Sequence, residues 1–595
     1  MRWHAICSNS HTGHAAIGLT VAVLNPLHAG SPESCRVAWR VEILHKAGSR
    51  RADRLNEPTR NGDRAMKPEV IDALKHAIGE DRVLLDEAQL APYHLALIPV
   101  DRRIPGAVKP RSVEEVQEVV KIAHAHRVPL YPISTGRNWG YGSANPARDD
   151  TLILDLSDMN RIVEVNTELA YAVIEPGVSQ QQLYEHLEQH HTGLMMDPTG
   201  SGPRCSVVGN TLERGYGITA YGDHFEALCG MEIVLADGSL LRTGFGHYEQ
   251  ATATHVFKYG VGPYLDGLFT QSNLGIVTKI GHWLMPIPES FAAGYFFCRN
   301  EADLGPVIDV ARGLLLNRVV KGSINLLHRN RSLTVLTQYP WERMHGRTPL
   351  DEKAWQALGA EKGVGLWNGV VALYGTRAEI RTAKRIIRKR LRPHVAKLQF
   401  VSDPLLRLLE RFQRPLGFLL RMNIPEIMKA LKPSYELMKG KPGEVSLPTP
   451  YWRMKKPIPD QDIDPARDNC GLYWFAPVIP MTRRDVERFI GIVEPVFERH
   501  GFEACITLTT LTHRAFDCTL PILYNKENPE ETQRASACYR EVLTSCMHAG
   551  YIPYRFGIQS MEELAGRDDR FWEVVETIKK ALDPNGILAP GRYCR

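Results

Sequence analysis

The segment 136–142, which reads GRNWGYG, carries the clearest chemical signal in the sequence. Its glycines at positions 136, 140 and 142 let the backbone approach a diphosphate closely and present N–H groups to it without interference from a Cβ atom. Their spacing differs from the G-x-G-x-x-G pattern of a dinucleotide-binding fold. A plain glycine-rich turn therefore explains this loop equally well when the loop is taken alone.

Two further turn-rich segments follow GRNWGYG. Residues 197–203 read DPTGSGP and run into SVVGN at 206–210 and ERGYG at 213–217. Residues 275–279 read GIVTK and come directly after QSNL at 271–274. These loops form an ordered set, and the set is more informative than any single loop.

A helix and a strand lead into the first loop. Ser112 and Glu115 have the S-x-x-E spacing of a capping box, and apolar residues follow at helical intervals to about Arg127. Residues 128–133 (VPLYPI) then read as a short extended segment that ends at the glycine loop. Helix, strand and glycine loop in this order are typical of a ligand-binding region.

The rest of the pattern predicts an α+β chain whose parts differ in character. Residues 68–288 contain short strands near 151–156, 170–175 and 231–235, with a hairpin turn at Asp237-Gly238, and a helix capped by Ser179. Residues 289–545 contain longer basic helices such as 377–392 and strand-like pieces such as 471–478, so they predict a second domain. Residues 546–595 include a helix at 571–582 that the turn residues DPNG stop.

Residues 1–65 differ from the rest of the chain because they lack helical or strand periodicity. We interpret them as a disordered or mis-assigned extension, with folding beginning near Met66. The alternative is a secretory signal, since the apolar stretch 15–24 precedes Leu27-His28-Ala29, but Arg2 alone supplies the leading positive charge.

The composition excludes several classes of protein. The chain has 595 residues with 44% hydrophobic residues, 23% charged residues and a net charge of +5, which favours a soluble globular protein without a nucleic-acid partner. Its eleven cysteines are scattered without a C-x-x-C pair, so we expect reduced thiols and no metal site. No apolar run is long enough to span a membrane. The expected compartment is the cytoplasm, with the periplasm as the alternative.

The loops and their surroundings resemble the vanillyl-alcohol oxidase and 4-cresol methylhydroxylase family of flavoproteins. The resemblance rests on PISTGRNWGYGSANP (132–146), YGDHFEALCGMEIVLADGSLLRTGFG (221–246), KYGVGPYLDGLFTQSNLGIVTKIGHWLMP (258–286) and LDPNGILAPGRY (582–593). It covers most of 68–595 and implies a two-part FAD-binding domain, formed by 68–288 and completed by 546–595. It also implies a central α/β cap domain at 289–545 that covers the flavin ring.

The same resemblance implies which residues bind FAD. The glycine loops would hold the diphosphate, and 275–279 would lie along the adenine end. The implied cofactor residues are Pro132, Ser134, Thr135, Gly136, Arg137, Asn138, Gly140, Pro198, Thr199, Gly200, Ser201, Gly209, Asn210, Gly215, Tyr221, Gly275, Ile276, Val277 and Arg592.

Family members that act on phenols hold the substrate oxygen as phenolate with two tyrosines and an arginine, and the matching residues are Tyr141, Tyr554 and Arg555. A phenol has a pKa near 10, so phenolate at neutral pH needs about 4 kcal/mol of preferential stabilisation. One guanidinium and two phenolic donors in a dry pocket are a plausible source of this stabilisation. Hydride then leaves the para-benzylic carbon, and the quinone methide that remains reacts with water or loses a proton. The predicted function is FAD-dependent oxidation of a para-substituted phenol.

The sequence departs from the family pattern near the flavin. Ser201 lies where vanillyl-alcohol oxidase has an acidic residue, which makes the chain closer to the cresol-hydroxylating members and leaves Asp517 or His513 as candidate bases. Many members bind FAD covalently through His or Tyr, but ungapped counting places 516–518 (FDC) at that position. We therefore predict non-covalent FAD. His94 matches a histidine that assists the linkage in some relatives, although a surface histidine is the simpler interpretation.

Two other functions fit the same fold. One is oxidation of a non-phenolic hydroxy acid or sugar, which the three phenolate residues disfavour, and the other is a catalytically silent flavin-binding protein. For the phenol oxidase, the electron acceptor is either oxygen or a cytochrome c on a separate subunit, because this chain has no C-x-x-C-H haem motif. We expect a homodimer.

Overall fold

The computed structural model of this protein describes residues 66–415, 423–565 and 569–594. The predicted extension at 1–65 lies outside the described residues. Among the described residues, no helix combines the length and apolar character needed to cross a membrane. The cysteines from Cys205 to Cys546 are all buried and unpaired.

Two small sheets and a two-stranded ladder make up the part before residue 288. The first sheet has the order β1-β2-β4-β3, with parallel pairing of β4 to both β2 and β3, and the second has the antiparallel order β5-β6-β10-β8-β9. The strands are β1 Val83–Leu84, β2 Ala107–Val108, β3 Leu130–Ile133, β4 Leu152–Asp155, β5 Ile162–Asn166, β6 Tyr171–Ile174, β7 Leu194–Met195, β8 Leu228–Val234, β9 Leu240–Arg242, β10 Ile276–Trp283 and β11 Met285–Pro286, where β11 pairs with β7.

Of the five helices that the structure describes in this part, two begin at the predicted capping residues, Ser112 and Ser179. The five are α1 Pro68–Ile78, α2 Glu87–His94, α3 Val113–His126, α4 Gln180–Gln189 and α5 Val207–Leu212. The Ser112 hydroxyl accepts a hydrogen bond from the Glu115 backbone N–H at 3.3 Å, and α3 ends at Arg127 in the left-handed conformation. The buried face of α3 packs beside β3, so the helix fixes the strand that leads into the glycine loop.

An eight-stranded antiparallel sheet dominates the chain from 290 to 525. Its strands follow the order β15-β12-β14-β13-β18-β19-β16, and β17 also pairs with β19. The predicted strand at 471–478 is divided into two strands. The strands are β12 Ser290–Cys298, β13 Ile324–His328, β14 Trp367–Gly375, β15 Val395–Ser402, β16 Cys470–Phe475, β17 Val478–Pro480, β18 Thr507–Thr510 and β19 Ala515–Asn525.

Helices cover one face of this sheet, and the other face packs partly against two further helices and partly lines a cavity. Four helices bury the apolar residues of the covered face, and they span Leu304–Leu316, Arg377–Leu391, Arg483–Arg499 and Pro529–His548. The helices between residues 300 and 582 are α6 Leu304–Leu316, α7 Arg329–Leu336, α8 Glu352–Lys362, α9 Arg377–Leu391, α10 Asp403–Arg411, α11 Ile424–Leu437, α12 Arg483–Arg499, α13 Pro529–His548, α14 Glu562–Ala565 and α15 Arg570–Leu582.

The carboxyl-terminal segment returns to the first sheet. The Leu130 N–H donates to the Ile587 carbonyl at 2.8 Å, and the Ala589 N–H donates to the Leu130 carbonyl at 2.7 Å. Lys579 on α15 contacts the Asp583 carboxylate at 2.6 Å, which fixes the turn before this segment. The end of the chain therefore extends the sheet that carries the glycine loop, as the predicted two-part domain requires.

Candidate functional site

A cavity of about 550 Å³ lies between the glycine loops and the uncovered face of the eight-stranded sheet. Its volume is within the range of roughly 300–1,000 Å³ that is typical of small-molecule and cofactor sites. Four residues in direct register across neighbouring strands, Val370, Asn325, Thr509 and Asp517, line it from the sheet side. The carboxyl-terminal segment closes another side with Leu588, Ala589 and Arg592.

The GRNWGYG loop turns sharply because all three of its glycines, at 136, 140 and 142, adopt positive φ angles. Gly136 has φ 66° and faces the cavity, whereas Gly140 has φ 73° and faces the cap sheet. A Cβ atom on Gly140 would lie 2.8 Å from the Trp474 Cβ and 2.9 Å from the Trp474 backbone nitrogen. Gly140 thus lets the loop contact β16, and the loop holds Tyr141 in the cavity wall.

A buried polar relay positions the second loop. The two ring nitrogens of His224 are hydrogen-bonded to the Asp197 carboxylate at 2.7 Å and to the Asn210 side-chain oxygen at 2.6 Å. Asp197 also accepts from the Thr219 N–H at 2.7 Å. Because Asn210 lines the cavity and Asp197 precedes the Pro198-Thr199 turn, this relay fixes both ends of the loop.

Most of the predicted cofactor residues line this cavity, but three do not. Gly140 packs against β16, Tyr221 is 40% exposed, and Pro198 lies outside the lining. The residues in the lining are Pro132, Ser134, Thr135, Gly136, Arg137, Asn138, Thr199, Gly200, Ser201, Gly209, Asn210, Gly215, Gly275, Ile276, Val277 and Arg592.

The three predicted phenolate residues come together in the same cavity. The Arg555 guanidinium carbon lies 3.8 Å from the centroid of the Tyr141 ring, and the guanidinium donates a hydrogen bond to the side chain of Asn138. Tyr554 meets Tyr216 edge to face, with 5.9 Å between ring centroids. The Tyr141 hydroxyl is buried and has no hydrogen-bond partner among the described residues. An orphaned buried donor of this kind needs a ligand as its partner.

Burial keeps both tyrosines protonated. It raises the pKa of Tyr554 to about 12, although the Arg555 guanidinium opposes this shift, and it raises the pKa of Tyr141 well above its usual value. Both hydroxyls are therefore hydrogen-bond donors at neutral pH. With the Arg555 guanidinium they form a donor-only cluster, which suits an anionic oxygen.

Asp517 is the carboxyl group of the cavity that titrates near neutrality. It is 5% exposed, and one of its oxygens is buried without a hydrogen-bond partner among the described residues. Burial raises its pKa to about 7, against the lowering effect of Arg555. A carboxyl group with a pKa near the working pH suits proton transfer.

The other residues considered from the sequence lie in different surroundings. Ser201 lines the cavity, and its carbonyl accepts hydrogen bonds from the Trp139 indole at 2.8 Å and from the Cys205 thiol at 3.1 Å. His94 and His513 are exposed and are not part of the lining. In the segment predicted to face a covalent linkage, the residues on either side of Asp517 are packed in the core.

Glu213 is a functional residue that the sequence reasoning missed. It forms ion pairs with Arg592 and, at 3.9 Å, with Arg555, and it accepts a hydrogen bond from the Tyr593 hydroxyl at 3.1 Å. Burial alone would raise the pKa of Glu213, but the two arginines outweigh burial and hold it below its usual value. Arg592 also donates to the Tyr131 hydroxyl at 2.6 Å. The motif ERGYG contains Glu213, but its partners lie too far away in the sequence to reveal this role.

The cavity fits FAD on physical grounds. Glycine loops without Cβ atoms form one end, where a diphosphate needs close backbone contact. Aromatic, apolar and polar residues form the other end, and its buried Tyr141 and Asp517 atoms lack partners among the described residues. Both features are those of a site completed by a ligand.

Comparisons with known proteins agree with this site. A sequence model of an FAD binding domain matches residues 104–244. Over 522 residues the chain is 40% identical to 1'-carboxy-chondrochloren decarboxylase of Chondromyces crocatus, which covers 88% of this chain and 96% of that protein. Over 521 residues it is 33% identical to the 4-cresol dehydrogenase [hydroxylating] flavoprotein subunit of Pseudomonas putida, with 87% and 93% covered.

Solved structures give the same result. The chain superposes on p-cresol methylhydroxylase with substrate bound at a TM-score of 0.78 and on the isoeugenol complex of 4-ethylphenol oxidase from Gulosibacter chungangensis at 0.79. In each case the identity is 30%, and the match covers 88% of this chain and 96% of the other. The predicted fold class and FAD as the cofactor are confirmed.

Proposed function

The chain belongs to the vanillyl-alcohol oxidase and 4-cresol dehydrogenase family of FAD-dependent oxidoreductases, and from this premise we propose that it oxidises a para-substituted phenol at the para-benzylic carbon. The observation that carries the proposal is the donor-only cluster of Tyr141, Tyr554 and Arg555 in a buried cavity. A neutral sugar hydroxyl gives no reason for three converging donors around one guanidinium. A phenolate oxygen does.

The cluster supplies the free energy that phenolate needs. About 4 kcal/mol is required at pH 7, and charge-assisted hydrogen bonds in a dry site each contribute about 1.5–3 kcal/mol. Arg555 provides the permanent charge, and the two tyrosine hydroxyls, protonated at neutral pH, donate to the same oxygen. Glu213 lies on the other side of Arg555 at 3.9 Å and orients the guanidinium without neutralising it fully, because Arg592 shares this carboxylate.

Bound FAD supplies the acceptor for the hydride that leaves the para-benzylic carbon. Arg555 and the tyrosines hold the ring oxygen through this step and favour electron release into the ring. The quinone methide left on the substrate is attacked by water at the benzylic carbon. We assign removal of the proton from that water to Asp517, because Ser201 has no carboxylate and the pKa of Asp517 is about 7.

A second candidate outcome is oxidative decarboxylation. It is favoured by the 40% identity to a relative named as a decarboxylase. If the carbon next to the benzylic position carries a carboxylate, loss of CO2 returns an electron pair to the quinone methide. The ring becomes aromatic again, and the product is a 4-vinylphenol. This outcome uses the same phenolate cluster but needs no water molecule.

The test is anaerobic mixing of the FAD-loaded protein with 4-cresol, 4-ethylphenol, eugenol and vanillyl alcohol. At least one of them should bleach the flavin absorbance, whereas D-lactate should not. Bleaching by lactate alone would support the hydroxy-acid alternative, and no bleaching by any compound would support the silent flavoprotein. Reoxidation with oxygen and with cytochrome c then identifies the electron acceptor, because a separate cytochrome subunit is the alternative to oxygen.

Arg555→Ala identifies the residue that carries the chemistry. We expect the rate of flavin reduction to fall about 10²–10³-fold, as when one preorganised donor is removed from an anion site. FAD content, measured by absorbance after gel filtration, should change little. Equal losses of FAD and of reduction rate would contradict the assignment, because Arg555 would then be a structural residue.

A further inference from the structure

Arg331 is a buried cation in the wall of the cavity that has no acidic partner. It lies on α7 and is 7% exposed. Its Nη1 donates to the hydroxyls of Thr449 at 2.8 Å and Thr334 at 3.1 Å. Its Nε is buried without an acceptor, and within the described part of the chain no carboxylate lies within 4.0 Å of it. Burial lowers the pKa of Arg331, and no neighbouring carboxylate offsets this effect.

The other buried arginines each have an acidic partner in the protein. Arg453, which is 0% exposed, lies 3.0 Å from Glu503 and 3.2 Å from Glu531. Arg555 lies 3.9 Å from Glu213. Arg331 therefore differs from both in the part of the chain that the structure describes. A buried guanidinium without a counter-charge is costly, and such groups are normally paired.

The surroundings of Arg331 mark one polar end of the cavity. Thr449 and Thr507 both line the cavity, and the Thr507 hydroxyl is buried with no hydrogen-bond partner among the described residues. Thr507 is on β18, one diagonal step from Asp517 on β19, since Thr509 is the residue opposite Asp517. Diagonal neighbours in an antiparallel sheet are about 7–8 Å apart. The polar end is thus a few carbon–carbon bonds away from the carboxyl group that we assign to proton transfer at the benzylic carbon.

We infer that this end binds a carboxylate on the para substituent of the substrate, so that the substrate class is a 4-hydroxyphenyl-alkanoic acid. The inference rests on the proposed function, because it places the phenolate oxygen at Arg555 and the second anion at Arg331. The Nε and Nη2 edge of a guanidinium matches the two oxygens of a carboxylate, and Thr507 supplies a further donor. A neutral alkyl chain would leave all of these donors unpaired.

The experiment compares one acid with uncharged compounds of the same shape. The probes are 3-(4-hydroxyphenyl)propanoate, its methyl ester and 4-propylphenol, and the readout is kcat/KM from anaerobic flavin reduction. Arg331→Met keeps the volume and removes the charge. We expect it to lower kcat/KM for the acid by roughly 30-fold or more, as for truncation of a buried charged partner. The ester and 4-propylphenol should change by less than about 3-fold.

Two controls separate binding from folding. Thr334→Val removes one hydrogen bond of Arg331 but keeps its charge, and because Thr334 is not part of the cavity lining, the preference for the acid should persist. Arg331→Met should keep its FAD and its melting temperature, since an apolar residue replaces an unpaired buried charge. Binding of 4-hydroxycinnamate, which has no sp³ benzylic C–H bond to oxidise, is followed by the shift in flavin absorbance and should weaken in Arg331→Met.

The outcomes distinguish this inference from the proposed function. In one outcome, 4-propylphenol reduces the flavin of the wild-type protein, but Arg331→Met lowers kcat/KM equally for the acid, the ester and the alkylphenol. The carboxylate site is then wrong, and the proposed phenol oxidation stands. If Arg331→Met weakens 4-hydroxycinnamate alone while no phenol reduces the flavin, the proposed oxidation is wrong and the anion site stands. Loss of FAD or of the fold in Arg331→Met, together with an unchanged preference for the acid in a second uncharged variant, Arg331→Gln, would make Arg331 structural and overturn the inference.

Discussion

Replacing Asp517 by Asn removes a carboxyl group whose ionisation opposes folding. Burial raises its pKa from 3.8 to about 7, so the folded protein binds this proton more tightly than the unfolded chain does. The stability that this preference contributes is fully present below the unfolded pKa and is lost as the pH rises through about 7. An amide of the same shape does not titrate. Asp517→Asn should therefore gain stability relative to the wild type as the pH rises.

The magnitude follows from the width of this pH window. Each pH unit between the two pKa values is worth about 1.4 kcal/mol, so the difference in unfolding free energy should grow by about 4 kcal/mol between about pH 4 and about pH 7 and then level off. Guanidinium unfolding of the FAD-loaded protein, followed by circular dichroism at intervals across this range, measures it. Asp303→Asn is the control of opposite sign, because a hydrogen bond from Arg299 lowers the pKa of Asp303. Its loss of stability should stay constant above the unfolded pKa of 3.8 and vanish only as the pH falls below that value.

Turnover gives a second readout of the same substitution. If Asp517 removes a proton from water, the rate of hydroxylated product formation should rise through about pH 7 in the wild type and fall about 10²–10⁴-fold in Asp517→Asn. Flavin reduction should persist, because the phenolate cluster is intact. A stability difference that does not vary with pH, or a pH limb near 7 that survives the substitution, would refute the assignment.

Two further predictions concern the loop and the cofactor. Gly140→Ala should lower the melting temperature by more than Gly193→Ala. Both glycines have positive φ angles, but only at Gly140 would the new Cβ atom meet backbone, because it would lie 2.9 Å from the Trp474 nitrogen. Left-handed strain costs about 1–2 kcal/mol at either position, so equal losses would contradict the packing argument. Acid precipitation should release FAD into the supernatant, because the segment at the expected linkage position, Phe516-Asp517-Cys518, contains neither histidine nor tyrosine. A yellow pellet would show a covalent bond and contradict this prediction.

Local sequence signals predicted the loops well. The capping pair Ser112 and Glu115, the strand at 130–133 and the glycines of GRNWGYG are close together in the sequence, so their spacing alone constrains the backbone. The turn residues Asp237-Gly238 likewise predicted the hairpin between β8 and β9. The division of the predicted strand at 471–478 could not be predicted in this way, because it depends on distant residues: β16 and β17 both pair with β19, and Pro477 between them bridges to Pro553.

The polar network of the site could not be predicted in the same way. Glu213 acquires its role from Arg555 and Arg592, which a sequence pattern does not link to it. Asp517 is a second residue whose role the sequence pattern does not determine. Alternation along β19 predicts that it points away from its neighbours Phe516 and Cys518, but alternation cannot say which face of the strand meets the cavity. The packing of the helices against the other face decides this.

The charge balance of the cavity links these observations. The charged side chains in its lining are Arg137, Arg331, Arg555, Arg592, Glu213 and Asp517. One carboxylate serves both Arg555 and Arg592, Arg331 has no acidic partner among the described residues, and Asp517 is about half protonated at neutral pH. The lining therefore carries a positive excess that the protein itself does not neutralise. Since unpaired buried charge is costly, we expect anions to complete the cavity at three separate points: the FAD diphosphate and, in the proposed reaction, a phenolate and a carboxylate.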